Sequence, residues 1–134
     1  MSMSHERKYI SVIIPAYLAE RTIENDIRRI DSSLSQLGKP YEIIVVVDGS
    51  PDRTKEYADK TSSSRIQIIG YTTNRGKGYA VRYGMARATS NIIAFIDSGS
   101  DISLEGFSMF LEHFLWYKAD IVVGSKRHPD SKVI

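Results

Sequence analysis

Two short segments of this 134-residue chain carry residue types that could do chemistry together. Asn74-Arg75-Gly76-Lys77-Gly78 is a glycine-rich, cationic turn at the head of a helical pattern. Asp97-Ser98-Gly99-Ser100-Asp101 sets two carboxylates just past an apolar strand pattern. Free N–H groups at a helix start attract phosphate oxygens. Carboxylates nearby can hold a hard divalent cation, which keeps bound waters and shares itself with a substrate phosphate. The pair of segments therefore reads as a site for a diphosphate-bearing ligand with its metal. Asp97 carries most of that reading. It ends the run Ile92-Ile93-Ala94-Phe95-Ile96, where a carboxylate needs a cation, a donor or water to offset desolvation. Asp101 fits equally the first residue of a turn.

The elements that must position these residues are legible in the apolar pattern. Ser11 to Pro15, Tyr41 to Asp48, Ile66 to Tyr71, Ile92 to Asp97 and Asp120 to Gly124 are short runs rich in β-branched residues. Such runs are typical of strands buried on both faces. Helical patterns lie between them. Ile23, Ile27, Ile30, Leu34 and Leu37 mark one face of a helix from about Thr22, stopped by Gly38 and Pro40. Asp52 is placed to cap a shorter helix reaching about Lys60. Lys77 to Ala88 carries small residues at Ala80, Gly84 and Ala88, which let a helix approach a sheet closely. Phe107, Phe110, Leu111, Phe114 and Leu115 mark a further helix, with Ser103 as its cap.

Alternating strands and helices predict an α/β fold, with a mostly parallel sheet in three layers and helices on both faces. Right-handed crossovers put every strand's C-terminal end on one edge, which is where such sheets bind ligands. The polar clusters fall on that edge: Tyr17 with Glu20, Asp48-Gly49-Ser50, Asn74 to Gly78, and Asp97 to Asp101. Their convergence is a stronger signal than any single motif.

Each cluster also has a plainer explanation. Gly76-Lys77-Gly78 is no Walker A loop, because Gly78 follows the lysine where Ser or Thr is needed. It is part of a dinucleotide fingerprint, but it follows the third strand pattern where that fingerprint follows the first. Alone, it is as well explained as an ordinary strand-to-helix turn. Asp48 ends a strand as Asp97 does, and could accept a hydrogen bond from a nucleobase N–H. Pro15-Ala16-Tyr17 can offer backbone groups and an aromatic face to a base, or Tyr17 can simply pack. Lys126-Arg127-His128 can meet phosphate or solvent. His5, His113 and His128 have no metal-ligand spacing.

Composition narrows the rest. The chain is one domain's worth of sequence, 42% hydrophobic and 25% charged. Its net charge of +2 provides no basis for nucleic-acid binding, which needs a basic face. With no cysteine, thiolate metal sites, disulfides and cysteine nucleophiles are excluded. No apolar run approaches the ~20 residues of a membrane span, and Met1 to Lys8 does not resemble a signal peptide. A cytoplasmic location is expected. The last residues, Ser131-Lys132-Val133-Ile134, carry no closing signal, so the chain is expected to be part of a longer protein. An open sheet edge would then favour self-association of this part.

In order and spacing, SVIIPAY, EIIVVVDGSPDRT, NRGKGYAVRYGMA, the Asp after IIAFI, and ADIVVGSKR resemble family 2 glycosyltransferases with the GT-A fold. The branch most resembled is that of the dolichyl-phosphate mannose and glucose synthases. The resemblance runs from about Ser11 to Ile134. It implies a hexosyltransferase using a UDP- or GDP-linked sugar with Mg²⁺ or Mn²⁺, and an acceptor such as a polyprenyl or dolichyl phosphate. Pro15, Ala16, Tyr17 and Glu20 would match the base-pocket segment, and Asp48 the aspartate that reads the base. Gly76, Lys77 and Gly78 would match the nucleotide-contacting turn, and Arg127 a basic residue near the donor phosphates. Asp97 would match the first aspartate of the D-x-D metal motif. The chain departs from the pattern at two places. Leu18 stands for the usual Asn, and Gly99 replaces the second metal aspartate, leaving Asp101 as the other candidate ligand.

The resemblance further implies that residues 1–134 are the nucleotide-sugar-binding part of such a domain. The acceptor site, the catalytic carboxylate and any membrane contact would lie beyond them, and no catalytic base can be named here. Two other classes stay open at this point. One is a nucleotide-binding module without turnover, motivated by Gly99. The other is an NAD-dependent oxidoreductase, motivated by Gly76-x-Gly78 with an acidic residue some 20 positions on.

Overall fold

A computed structural model describes residues 9–98 and the strand Ile121–Val123. The elements run β1 (Ile10–Ala16), α1 (Ile23–Ser35), β2 (Tyr41–Asp48), α2 (Thr54–Asp59), β3 (Ile66–Tyr71), α3 (Lys77–Met85), β4 (Ile92–Phe95) and β5 (Ile121–Val123). The five strands form one sheet in the order β3-β2-β1-β4-β5, and every pairing is parallel. This is the Rossmann-like α/β arrangement predicted from the alternating pattern. The helix expected around Phe107 to Leu115, with Ser103, lies outside the described residues, as do Asp101, Lys126, Arg127 and all three histidines.

β1 is central and buried along its whole length, so both of its faces must be apolar. On one face Ile10, Val12 and Ile14 join Ile43 and Val45 of β2. They meet Ile23, Ile27, Ile30 and Leu34, the predicted stripe of α1. On the other face Ile13, Ile44 and Val46 meet Ala80 of α3. Gly84 makes the close approach there. A Cβ at this position would stand 2.6 Å from Ile13 Cγ2 and 3.0 Å from Val46 Cγ2. The small-residue spacing was thus a packing signal.

Element ends differ slightly from the sequence expectation, each for a local reason. α1 stops at Ser35, and Gly38 then takes a left-handed φ of +68°, as glycine does past a helix end. α3 ends at Met85, after which Arg87 and Ala88 donate back to Gly84 and Met85 in a tighter turn. β4 ends at Phe95. Ile96 still donates to the Ile13 carbonyl, and the chain then leaves the sheet at Asp97.

The order of strands matters for function. The chain adds β2 and β3 on one side of β1, then crosses over to place β4 on the other. The crevice between the C-terminal ends of β1 and β4 is therefore a topological switch point, where ligands of open α/β sheets bind.

Candidate functional site at the C-terminal edge of the sheet

Three loops meet at this edge, and side-chain hydrogen bonds tie them together. After β1 come Tyr17, 45% exposed, and Leu18, whose φ of +52° is rare for a residue with a branched side chain. The Leu18 N–H donates to Ser50 Oγ at 2.9 Å, and the Ala19 N–H donates to Thr54 Oγ1 at 2.9 Å. Ser50 and Thr54 both donate their hydroxyls to the Asp52 carboxylate, which also accepts the Thr54 N–H. Burial raises the Asp52 pKa, but the Ser50 and Thr54 hydrogen bonds outweigh it and hold the group below the ordinary carboxylate range. Asp52 thus serves the start of α2 as predicted, acting from one position before the N-cap residue Arg53.

Glu20 belongs to the same arrangement. Its Oε1 accepts the Arg53 N–H at 2.8 Å. One oxygen of the exposed Glu20 carboxylate is thus engaged at the start of α2. Pro15 and Ala16 end β1, both buried, and Pro15 is in register with Val46 of β2. Of the four residues expected in the base-pocket segment, Tyr17 has the most exposed aromatic surface at the edge.

The second junction joins β2 to the turn before α3. Asp48 is 3% exposed. Its Oδ1 accepts the Tyr71 hydroxyl and the Arg75 N–H, each at 2.9 Å. Its Oδ2 accepts the Asn74 side-chain amide at 2.9 Å and the Gly76 N–H at 3.0 Å. Asn74 also donates to the Asp48 carbonyl at 2.9 Å. A carboxylate has about four lone-pair positions, and here each is taken. Burial, then the Asp48 carboxylate, push the Tyr71 hydroxyl well above its ordinary pKa, so it stays a donor.

The turn itself suits phosphate. Gly76 is the N-cap of α3 with φ +95°, a conformation that side-chain-bearing residues avoid. Helix geometry leaves the N–H groups of Lys77, Gly78 and Tyr79 without intrahelical acceptors. Lys77 opens the helix, and its Nζ lies 2.6 Å from Asp97 Oδ1. Both side chains are about half exposed, at 55% and 50%, so the pair contributes little to stability. Its consequence is chemical: a half-exposed ammonium and a hard oxygen ligand stand side by side at the mouth of the switch-point crevice.

Asp97 fits a divalent cation of the kind that keeps waters and shares itself with phosphate, since such an ion needs only one or two protein carboxylates. Among the described residues no group of three His, Cys, Asp or Glu converges. The structure therefore places Tyr17, Gly76, Lys77, Gly78 and Asp97 at one edge of the sheet, with Asp48 buried at the end of β2 and Glu20 at the start of α2. Sequence reading did not anticipate Ser50, Thr54 and Tyr71 as the residues that tie the loops. Their partners lie 32, 35 and 23 positions away, beyond any local pattern.

Comparison with known proteins agrees with this geometry. A mannosyltransferase from Pyrobaculum calidifontis in complex with GDP-Man and Mn²⁺ superposes with a TM-score of 0.56 at 25% identity, covering 69% of this chain and 28% of that one. Glucosyl-3-phosphoglycerate synthase from Mycobacterium tuberculosis, with Mn²⁺ and UDP, gives 0.59 at 29% identity over 81% of this chain and 39% of that one. Among curated relatives, a dolichyl-phosphate β-glucosyltransferase of Drosophila melanogaster is 32% identical over 93% of this chain and 43% of its own length. A dolichol-phosphate mannosyltransferase of Pyrococcus furiosus is 34% identical over 92% of this chain and 35% of its own length. The chain thus spans less than half the length of these relatives. The description "Glycosyl transferase family 2" matches residues 11–133, and the chain belongs to that family.

Proposed function

We propose that this chain is the donor-binding part of a hexosyltransferase that moves a sugar from a UDP- or GDP-sugar to an acceptor, with a divalent cation, Mg²⁺ or Mn²⁺. One observation carries the reading: Lys77 and Asp97, 2.6 Å apart, lie at the head of α3 beside the switch-point crevice. Opposite charges at that place suit a metal–diphosphate pair. The Mn²⁺-containing structures of similar fold support the metal, and the dolichyl-phosphate relatives support a lipid-phosphate acceptor. Such an acceptor would bring the protein to the cytoplasmic face of a membrane.

Each residue then has a task. Tyr17 offers its ring to the base. The first N–H groups of α3 and the Lys77 ammonium receive the diphosphate oxygens, leaving Asp97 free for the cation. Arg127 adds positive charge on the donor side. When bound, the cation supplies charge that stabilises a departing diphosphate. Gly99 weakens the usual metal motif, and Asp101 takes the second ligand position in this proposal. The acceptor site and any catalytic base are assigned to the stretch of the relatives that this chain does not span.

Transfer of radiolabelled sugar from GDP-mannose or UDP-glucose to dolichyl phosphate tests this. The 134-residue chain should transfer none, and the chain joined to the remaining length of a dolichyl-phosphate relative should turn over. Turnover by the short chain would show that the catalytic groups lie within it. An inactive joined chain that still binds donor would favour the module without turnover, to which Gly99 already points.

A further inference from the structure

We infer that Ser50 and Asp52 are positioning residues for Tyr17, acting through the backbone of the loop after β1. The inference rests on the donor-binding proposal, in which Tyr17 meets the base, and adds the residues that hold it there. Burial does little to place Tyr17, whose side chain is 45% exposed. Its place depends on the backbone to either side. Ala16, before it, ends β1 in register with Val47 of β2. Leu18, after it, is left-handed at φ +52° and donates its N–H to Ser50 Oγ. Both anchors belong to β2 and the loop that follows it, so Tyr17 is held from two sides by one neighbouring segment.

Asp52 decides how that segment can hold the loop. A serine or threonine hydroxyl has one proton to give and two lone pairs. An ionised carboxylate only accepts, and Asp52 Oδ1 takes the protons of both Ser50 Oγ and Thr54 Oγ1, the second at 2.6 Å. Both hydroxyl oxygens are then left as acceptors toward the loop after β1. They receive the N–H groups of Leu18 and Ala19, each at 2.9 Å. The same hydroxyls hold the Asp52 carboxyl below its ordinary range, so the relay keeps its direction at neutral pH. Thr54 is fully buried, and the Glu20 carboxylate returns the contact by accepting the Arg53 N–H at 2.8 Å. A strained backbone persists only where its surroundings over-determine it, and here three hydrogen bonds between the two loops do so.

Asp52 also accepts the Thr54 N–H at the start of α2. A cap on α2 alone and a relay that positions Tyr17 predict different losses. The test compares the chain with Ser50→Ala, Ser50→Thr and Asp52→Ala. Affinities are measured for uridine, guanosine, UDP, GDP and inorganic pyrophosphate with Mn²⁺, and amide hydrogen exchange is followed without ligand. Ser50→Ala leaves the hydrogen bonds between Asp52 and Thr54 in place, which guards against a variant that fails to fold. Ser50→Thr keeps the hydroxyl and is the conservative control.

The expected result in Ser50→Ala is about fivefold faster exchange at the Leu18 amide. Nucleoside and nucleotide affinities should fall together by about fivefold, while pyrophosphate stays within about twofold. Ser50→Thr should restore both, and Asp52→Ala should extend the faster exchange to Ala19. Unchanged Leu18 exchange in Ser50→Ala would overturn the inference, as would a loss shared equally by pyrophosphate or a nucleoside affinity that does not fall. A wild-type chain that binds no nucleotide defeats the donor-binding proposal instead, and exchange at Leu18 and Ala19 then decides by itself whether the relay holds the loop.

Discussion

Leu18 shows how much a single position can carry. Its backbone is left-handed at φ +52°, its side chain is 58% exposed, and its N–H is committed to Ser50 Oγ. The conformation is therefore set by the loop, and little burial offsets it. A side chain such as leucine costs about 1–2 kcal/mol in this region, whereas asparagine tolerates it. The family pattern has Asn at this place, and the backbone supplies a physical reason. Leu18→Asn should stabilise the chain by about 0.5–1 kcal/mol, read as a higher urea midpoint at constant slope. An unchanged or lower midpoint would mean that the leucine side chain contributes contacts that outweigh its strained backbone. Other residue-scale features were legible only in part. Asp48, Lys77 and Asp97 could be placed on one edge from strand ends alone. That Asp48 would be saturated, and Glu20 turned to Arg53, depends on loops that meet only in the folded chain.

Among the elements, α3 links the fold to the site. Its first turn faces the crevice, and its buried side rests on β1 and β2 through Ala80 and Gly84. Gly84→Ala would gain about 1 kcal/mol of helix propensity, but its Cβ would stand 2.6 Å from Ile13 Cγ2. Overpacking of this kind costs about 1–3 kcal/mol. The variant should be destabilised, and the helix start should shift with it, so diphosphate binding should weaken too. Gly78 is the contrast. A Cβ there meets only Arg82 Nη1 at 3.8 Å, so Gly78→Ala should leave the unfolding midpoint unchanged or slightly raised. If Gly84→Ala is equally harmless, α3 does not sit as close to the sheet as this geometry requires. The elements themselves were the most readable part of the sequence. β1, β2 and β3 are runs rich in β-branched residues, and the stripe of α1 repeats on one helical face. Their ends were less readable, because Gly38, the tightened turn after Met85 and the departure at Asp97 depend on hydrogen bonds across the chain.

At the scale of the molecule, the strand order brings residues far apart in sequence to one crevice. Tyr17 follows β1, Lys77 opens α3 and Asp97 follows β4, yet all three stand at the same edge. That convergence followed from alternation and handedness alone, before any loop was seen. The segment that the sequence links to Asp101 and Arg127 lies outside the described residues, so their place in the site stays a proposal. The central claim is that this edge binds a nucleoside diphosphate through a cation and Lys77. Calorimetric titration of the chain with UDP and GDP, with Mn²⁺ and then with a chelator, tests it directly. One of the two nucleotides should bind more tightly with the metal, and Lys77→Ala should weaken it by about tenfold while leaving the nucleoside unaffected. Equal affinity with metal and with chelator, or a Lys77→Ala chain that binds the diphosphate as the wild type does, would contradict the account.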